Sequence, residues 1–204
     1  MLELASLGAK VLQNRSVEMA KKLNVNLVSR SSFTPEVEGT LITKEENIME
    51  KPIVSGIALD KNQVRVGMYG VTDKPGIAAA IFTSLADENI NVDMIVQTVG
   101  VDGKTDLDFT IPTTDLLICK NVMEKFKKDT ENIDYNEAIC KVSIVGVGMK
   151  SHTGVASKAF TALANENINI RIISTSEIKI SMIIDEKYAE LAVRALHEAY
   201  DLDK

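Results

Sequence analysis

The stretch GIAAAIFTSLADENINVDMI at residues 76–95 returns 78 positions later as GVASKAFTALANENINIRII at residues 154–173. Eleven of the 20 aligned pairs are identical, and the constant offset carries through Gly76 and Gly154, Phe82 and Phe160, and Asn89 and Asn167. An internal repeat sets the architecture before any single element does. This chain is a duplication.

The first copy reads outward from that stretch. Val64, Val66 and Met68 alternate with Arg65, Gly67 and Tyr69, the period-two signature of a half-buried strand. Thr72-Asp73-Lys74-Pro75-Gly76 makes a turn in which Thr72 or Asp73 is a candidate helix cap and Pro75 suits the first helical turn. Ile77, Ile81 and Leu85, with Ala78 and Phe82, form an apolar stripe at helical spacing that ends at Asn89-Ile90-Asn91. Val92, Met94 and Val96 predict a second strand. Leu107, Phe109 and Ile111 predict a third, after the hairpin signal Asp102-Gly103. Cys119, Val122, Met123 and Phe126 mark another helix, and a fourth strand is expected near 135–139. The order is βαββαβ, an α+β ferredoxin-like plait.

The second copy starts at Val142 and repeats the order through a helix at 154–166, strands at 168–173 and 178–184, and a helix ending near Ala199. It then stops without a fourth strand, which would leave an uncovered sheet edge. Residues 53–59, Ile-Val-Ser-Gly-Ile-Ala-Leu, read as a strand ahead of a first copy that already has four. We therefore expect 51–60 to complete the second module, the first module (61–140) being inserted within the second (141–204). Residues 1–50 read as two helices (2–12 and 16–23) and a strand (26–30), too little to bury a core alone.

Composition narrows the function. The 204 residues are 45% hydrophobic and 25% charged with a net charge of −6, ordinary for a core-forming protein and poor for one that grips phosphate backbones. Aromatics are only 4%, against an RNA-recognition use of the same plait, which stacks bases on strand aromatics. No apolar run approaches the roughly 20 residues of a membrane span. We expect a cytoplasmic protein that binds neither membrane nor nucleic acid. Cys119 and Cys140 read as small buried hydrophobes, and with only His152 and His197 besides, no metal site is expected.

Paired βαββαβ modules carrying Asp73-Lys74-Pro75-Gly76 and Gly148-Met149-Lys150-Ser151-His152 resemble tandem ACT domains. With Gln97 after Asn91-Val92-Asp93-Met94, and with Ile173-Ser174-Thr175-Ser176-Glu177-Ile178, the match is to the regulatory region of aspartate kinase. The leader, through Ala5–Leu12 and Val28–Phe33, resembles the end of that family's kinase domain, although Gln13-Asn14 departs from the His-Pro or His-Ser usual there. The resemblance implies feedback control of aspartate phosphorylation in lysine, threonine and methionine synthesis. ATP and magnesium would be held only by the kinase domain upstream. No Gly-rich phosphate loop ending in Lys-Ser or Lys-Thr is present, so this chain alone is expected to be inactive, as a regulatory subunit or a piece of the enzyme. The partners implied are threonine, lysine or both, a second copy of the chain in a homodimer, and a catalytic subunit.

A helix N-terminus offers unpaired N–H groups to the carboxylate of a free amino acid. In the first module that place is Gly76-Ile77-Ala78, with Asp73 facing the ammonium and Gln97 offering an amide. By spacing alone Asp73 is equally well a helix cap and Gln97 a solvated strand residue. The resemblance places Asp73, Gly76, Ile77, Ala78 and Gln97 in one half of an effector site. Asn167, Asn169 and Ile170 of the partner's second module form the other half, although the two asparagines also read as helix-end turn residues. It implies a second site at Ser151, His152, Gly154, Val155, Ala156, Ser176 and Glu177. There Ala156 and Ala159 stand where family members often carry Thr and Phe. The competing reading is a structural dimerisation module whose pockets bind nothing.

Overall fold

The computed structural model describes residues 1–9, 11–44, 53–98, 100, 102–146 and 152–202. Two short helices, α1 (Leu2–Ser6) and α2 (Asn14–Leu23), and a hairpin of β1 (Leu27–Ser29) and β2 (Thr40–Ile42) form the leader. Then come β3 (Gly56–Asp60), β4 (Val64–Thr72), α3 (Ile77–Asp87), β5 (Ile95–Gln97), β6 (Lys104–Ile111), α4 (Leu116–Met123) and β7 (Asn132–Asn136). The chain closes with β8 (Ile139–Val145), α5 (Val155–Asn165), β9 (Ile170–Thr175), β10 (Lys179–Asp185) and α6 (Ala189–Ala199).

Two antiparallel four-stranded sheets result, in the orders β5-β6-β4-β7 and β3-β8-β10-β9. In the second, β3 runs beside β8 from Gly56 opposite Val145 to Asp60 opposite Lys141. It takes the place that β7 takes beside β4 in the first sheet. The strand upstream of the first module thus completes the second, and the edge that would otherwise lie open is paired.

Each sheet carries its two helices on one face. Val66, Met68, Ile81, Leu85, Phe109 and Met123 are among the fully buried residues of the first core, and Val142, Ile144, Ala159, Leu163, Met182 and Leu196 of the second. All seven residues of β8 are buried. Its even positions enter the helix-side core, while Ile139 and Val145 join two smaller clusters on the other face. One of these sets Ile139, Ile172 and Ile183 against Met94 and Val96 of the first module, and the other sets Ala58 and Val145 against Leu7 and Leu4 of the leader. The second sheet is therefore covered on both faces, which is why β8 lacks the alternation that a half-exposed strand shows.

Several elements differ from the sequence reading. The first helix ends at Ser6 instead of reaching residue 12, because Gly8 (φ +109°) turns the chain so close to Leu59 that a Cβ would stand 2.6 Å from its carbonyl oxygen. Among its described residues the leader also holds a second strand, β2, beyond the two helices and one strand read from the sequence. The fourth strand of the first module spans 132–136, and Ile139 already belongs to β8. Only Ile95–Gln97 of the stretch 92–97 pairs as strand, since the Met94 amide donates to the Thr110 hydroxyl instead of a ladder carbonyl. Among the described residues no helix is long and apolar enough to cross a membrane.

Candidate functional site

The two copies of the repeat build the same helix start. Gly76 is the N-cap of α3 with φ +94°, and Gly154 is the N-cap of α5 with φ +90°. Neither helix has a side-chain cap, so Thr72 and Asp73 do not fill the capping role the spacing suggested, and Pro75 lies ahead of the helix. A Cβ built on either glycine would meet nothing within 4 Å among the described residues. Among the described residues both helix starts therefore carry first-turn amides with no side-chain acceptor, behind a residue with no side chain of its own, while the Ile77 amide donates to the Lys74 carbonyl at 3.2 Å.

The helix ends repeat as well. Asn89 (φ 59°) and Asn167 (φ 56°) take the left-handed conformation, each amide bonding back to an alanine carbonyl at 2.9 Å, from Asn89 to Ala86 and from Asn167 to Ala164. Asparagine tolerates this conformation better than most residues, so the turn reading of Asn167 describes its local role.

In the first module the turn 72–76 is braced from two sides. The Asp73 amide donates to the Gly103 carbonyl at 2.8 Å, and Lys74 pairs with Asp129 at 2.9 Å. A Cβ on Gly100 would stand 3.0 Å from Asp73 Oδ2, so the backbone at Gly100 lies against that carboxylate. Asp73, Gly76 and Gln97 are exposed, Ala78 is half-buried, and Ile77 is buried in the core below them. Asn167 and Asn169 are exposed on the second module and Ile170 is half-buried. Within the chain no hydrogen bond or ion pair among the described residues joins the Asp73–Gln97 set to the Asn167–Ile170 set.

The second-module set is brought together. His152, Gly154, Val155, Ala156 and Ser176 line one cleft of about 270 Å³, and Thr175 and Ile180 complete it. Ligand pockets for drug-sized molecules run from about 300 to 1,000 Å³, so this one suits a smaller metabolite. Thr175 and Ile180 were not singled out by sequence, although their place flanking Ser176 and Glu177 at the β9–β10 turn was the available signal. Glu177 stands exposed at that turn, outside the lining, and Ser151 lies outside the described residues. A second recess of about 600 Å³ opens on the other side of the same helix start, against Ser55, Lys158 and Tyr200.

No grouping of His, Cys, Asp and Glu suited to a metal ion occurs among the described residues. Burial pushes the Cys119 thiol up to about 12 and the Cys140 thiol up to about 11, so both stay protonated and unreactive near neutrality.

Comparison with known proteins agrees with this geometry. Models of the ACT domain match residues 64–131 and 142–200. The aspartokinase of Helicobacter pylori is 66% identical over 208 residues, spanning 100% of this chain and 51% of that protein. The aspartokinase of Pseudomonas aeruginosa is 54% identical over 210 residues, with 100% and 50% covered. The chain thus spans about half the length of the relatives it matches. Among solved structures, one of aspartokinase alpha and beta subunits is similar at 51% identity and TM-score 0.68, over 72% of this chain and 99% of that one. The ligand-free regulatory subunit of aspartate kinase from Thermus thermophilus is similar at 40% identity and TM-score 0.68, over 72% and 98%. Escherichia coli aspartokinase III in complex with lysine and aspartate is similar at 26% identity and TM-score 0.74, over 97% of this chain and 44% of that one.

Proposed function

This chain belongs to the aspartokinase family and covers its regulatory region of two ACT domains, and from that premise we propose that it binds threonine, lysine or both as end-product effectors. Binding would restrain the phosphorylation of aspartate by a catalytic half or a catalytic subunit, as feedback on lysine, threonine and methionine synthesis. ATP and magnesium belong to that catalytic part. The observation that carries the reading is the pair of uncapped helix starts at Gly76 and Gly154, each open to a ligand carboxylate.

At the first site the carboxylate meets the amides after Gly76, the ammonium meets Asp73, and Gln97 hydrogen-bonds the side chain or carboxylate of the effector. Asn167, Asn169 and Ile170 come from the second module of a partner copy. Asn167 and Asn169 stand exposed on this chain, within reach of a neighbouring copy in a homodimer that closes the site between chains. The second site is the cleft of His152, Gly154, Val155, Ala156 and Ser176, to which the family resemblance adds Ser151 and Glu177, the latter as one candidate carboxylate for a lysine ammonium. The lysine complex of the Escherichia coli relative supports an amino acid as the ligand class.

A ligand moves a conformational balance only by its differential affinity for the two states. Feedback by a metabolite calls for dissociation constants between about 1 μM and 1 mM. Thermal or chemical denaturation tests the reading. Threonine or lysine at about 100 times its Kd stabilises the chain by about 2.7 kcal/mol, and Gln97→Ala removes that gain without altering the ligand-free fold. No stabilisation by either amino acid would leave the purely structural dimerisation module as the better account.

A further inference from the structure

We infer that Lys141 positions the strand bearing Gln97, by holding Asp93 across the junction of the two modules. Lys141 lies on β8 in the second sheet, with its side chain 3% exposed. Its ammonium pairs with Asp93 of the first module, and Asp60 Oδ2, at the end of β3, stands 3.9 Å away. Residues 61–63, through which the chain crosses from the second sheet to the first, follow directly. There Gln63 donates to Asp60 at 2.8 Å while its own Oε1 is buried without a hydrogen-bond partner among the described residues. An ammonium out of reach of water must keep its carboxylates, so Lys141 dictates where Asp93 sits.

Asp93 in turn fixes β5. The Asp93 amide donates to the Thr110 carbonyl at 3.0 Å, the Met94 amide donates to the Thr110 hydroxyl at 3.2 Å, and Met94 and Val96 pack on Ile139, Ile172 and Ile183. Gln97 is the next residue, exposed and paired with Leu107 of β6 at the end of this strand. Lys141 touches no ligand. It acts through Asp93 and β5 on Gln97, and by reciprocity a ligand held by Gln97 is felt at the module junction. The inference rests on the reading of Gln97 as an effector contact.

Two variants test it, Lys141→Met, which keeps an unbranched stem without the charge, and the milder Asp93→Asn. Amide hydrogen exchange over residues 94–98 is followed with no amino acid added, and threonine and lysine are titrated calorimetrically. We expect exchange in this segment to rise about tenfold, and the affinity of whichever amino acid binds the wild type to fall about tenfold. The double variant should be no worse than the worse single one, because both changes break one link. Unchanged exchange in both single variants overturns the inference, as does faster exchange with unaltered affinity. If the wild type binds neither amino acid, the effector reading fails instead, and exchange alone decides whether Lys141 positions the strand.

Discussion

The Tyr200 hydroxyl donates a 2.6 Å hydrogen bond to the carbonyl of Val155, tying the end of α6 to the first turn of α5. Val155 lines the second-module cleft and the Lys158 ammonium lies 5.2 Å from the Tyr200 ring centroid, so the end of the chain braces one wall of that candidate site. Tyr200→Phe keeps the ring and removes the bond. It should cost about 1 kcal/mol in urea unfolding and raise amide exchange in the first turn of α5, with α3 unaffected.

The glycines that open the two helix starts carry a conformational requirement. With φ of +94° and +90°, alanine at either place is strained although its Cβ would touch nothing. Gly76→Ala and Gly154→Ala should each destabilise by about 1–2 kcal/mol and weaken effector binding at the module concerned. Equal stability of either variant with the wild type, measured by denaturant titration, would show that the turn relaxes.

Leu85 and Leu163 occupy equivalent places in the repeat, each 0% exposed, in separate cores. Leu85→Ala and Leu163→Ala should each cost about 2–5 kcal/mol. Because the two sites share no core, the double variant should come within about 0.5 kcal/mol of the sum. A larger discrepancy would mean that the small cluster of Met94, Val96, Ile139, Ile172 and Ile183 transmits strain between modules.

Alkaline pH should unfold the chain. Burial raises the Cys119 thiol to about 12 and the Cys140 thiol to about 11 from an ordinary 9.0, and the Tyr135 and Tyr200 phenols to about 12 from 10.0. The folded protein holds these protons at pH values where the unfolded chain has released them. Their share of stability is complete below pH 9.0 and is lost as pH climbs through about 11 and 12. The urea midpoint should hold steady to about pH 8.5 and fall beyond it, less steeply in Cys119→Ala, and a thiol reagent at pH 8 should modify neither cysteine until the protein unfolds.

Much of the fold was legible because it is written in local pattern. The repeat at Gly76 and Gly154 announced two modules, and counting strands against an open edge assigned 51–60 to the second module, within which Gly56–Asp60 pairs as strand. What stayed hidden depends on contacts distant in sequence. Nothing near Lys141 foretells Asp93, 48 residues away. The three-residue strand Thr40–Ile42 is defined only by its pairing with Leu27–Ser29. The candidate site divides the same way. The uncapped turn at Gly76 was misread, because Thr72 and Asp73 are good capping types that the backbone carries out of reach. Five residues that line the cleft around Gly154 were named through the family resemblance, while its walls at Thr175 and Ile180 needed the folded β9–β10 turn.

The proposed first-module site needs a neighbouring chain to close it. Mixing Gln97→Ala protein with Asn169→Ala protein, after subunit exchange, decides this by calorimetric titration with the amino acid that the wild type binds. Each variant alone should lose the heat of the first-module site. In a mixed dimer one site unites an intact first module with an intact second module, so random mixing should restore about one quarter of the wild-type sites at wild-type affinity. A mixture as silent at that site as its components would contradict a site shared between chains.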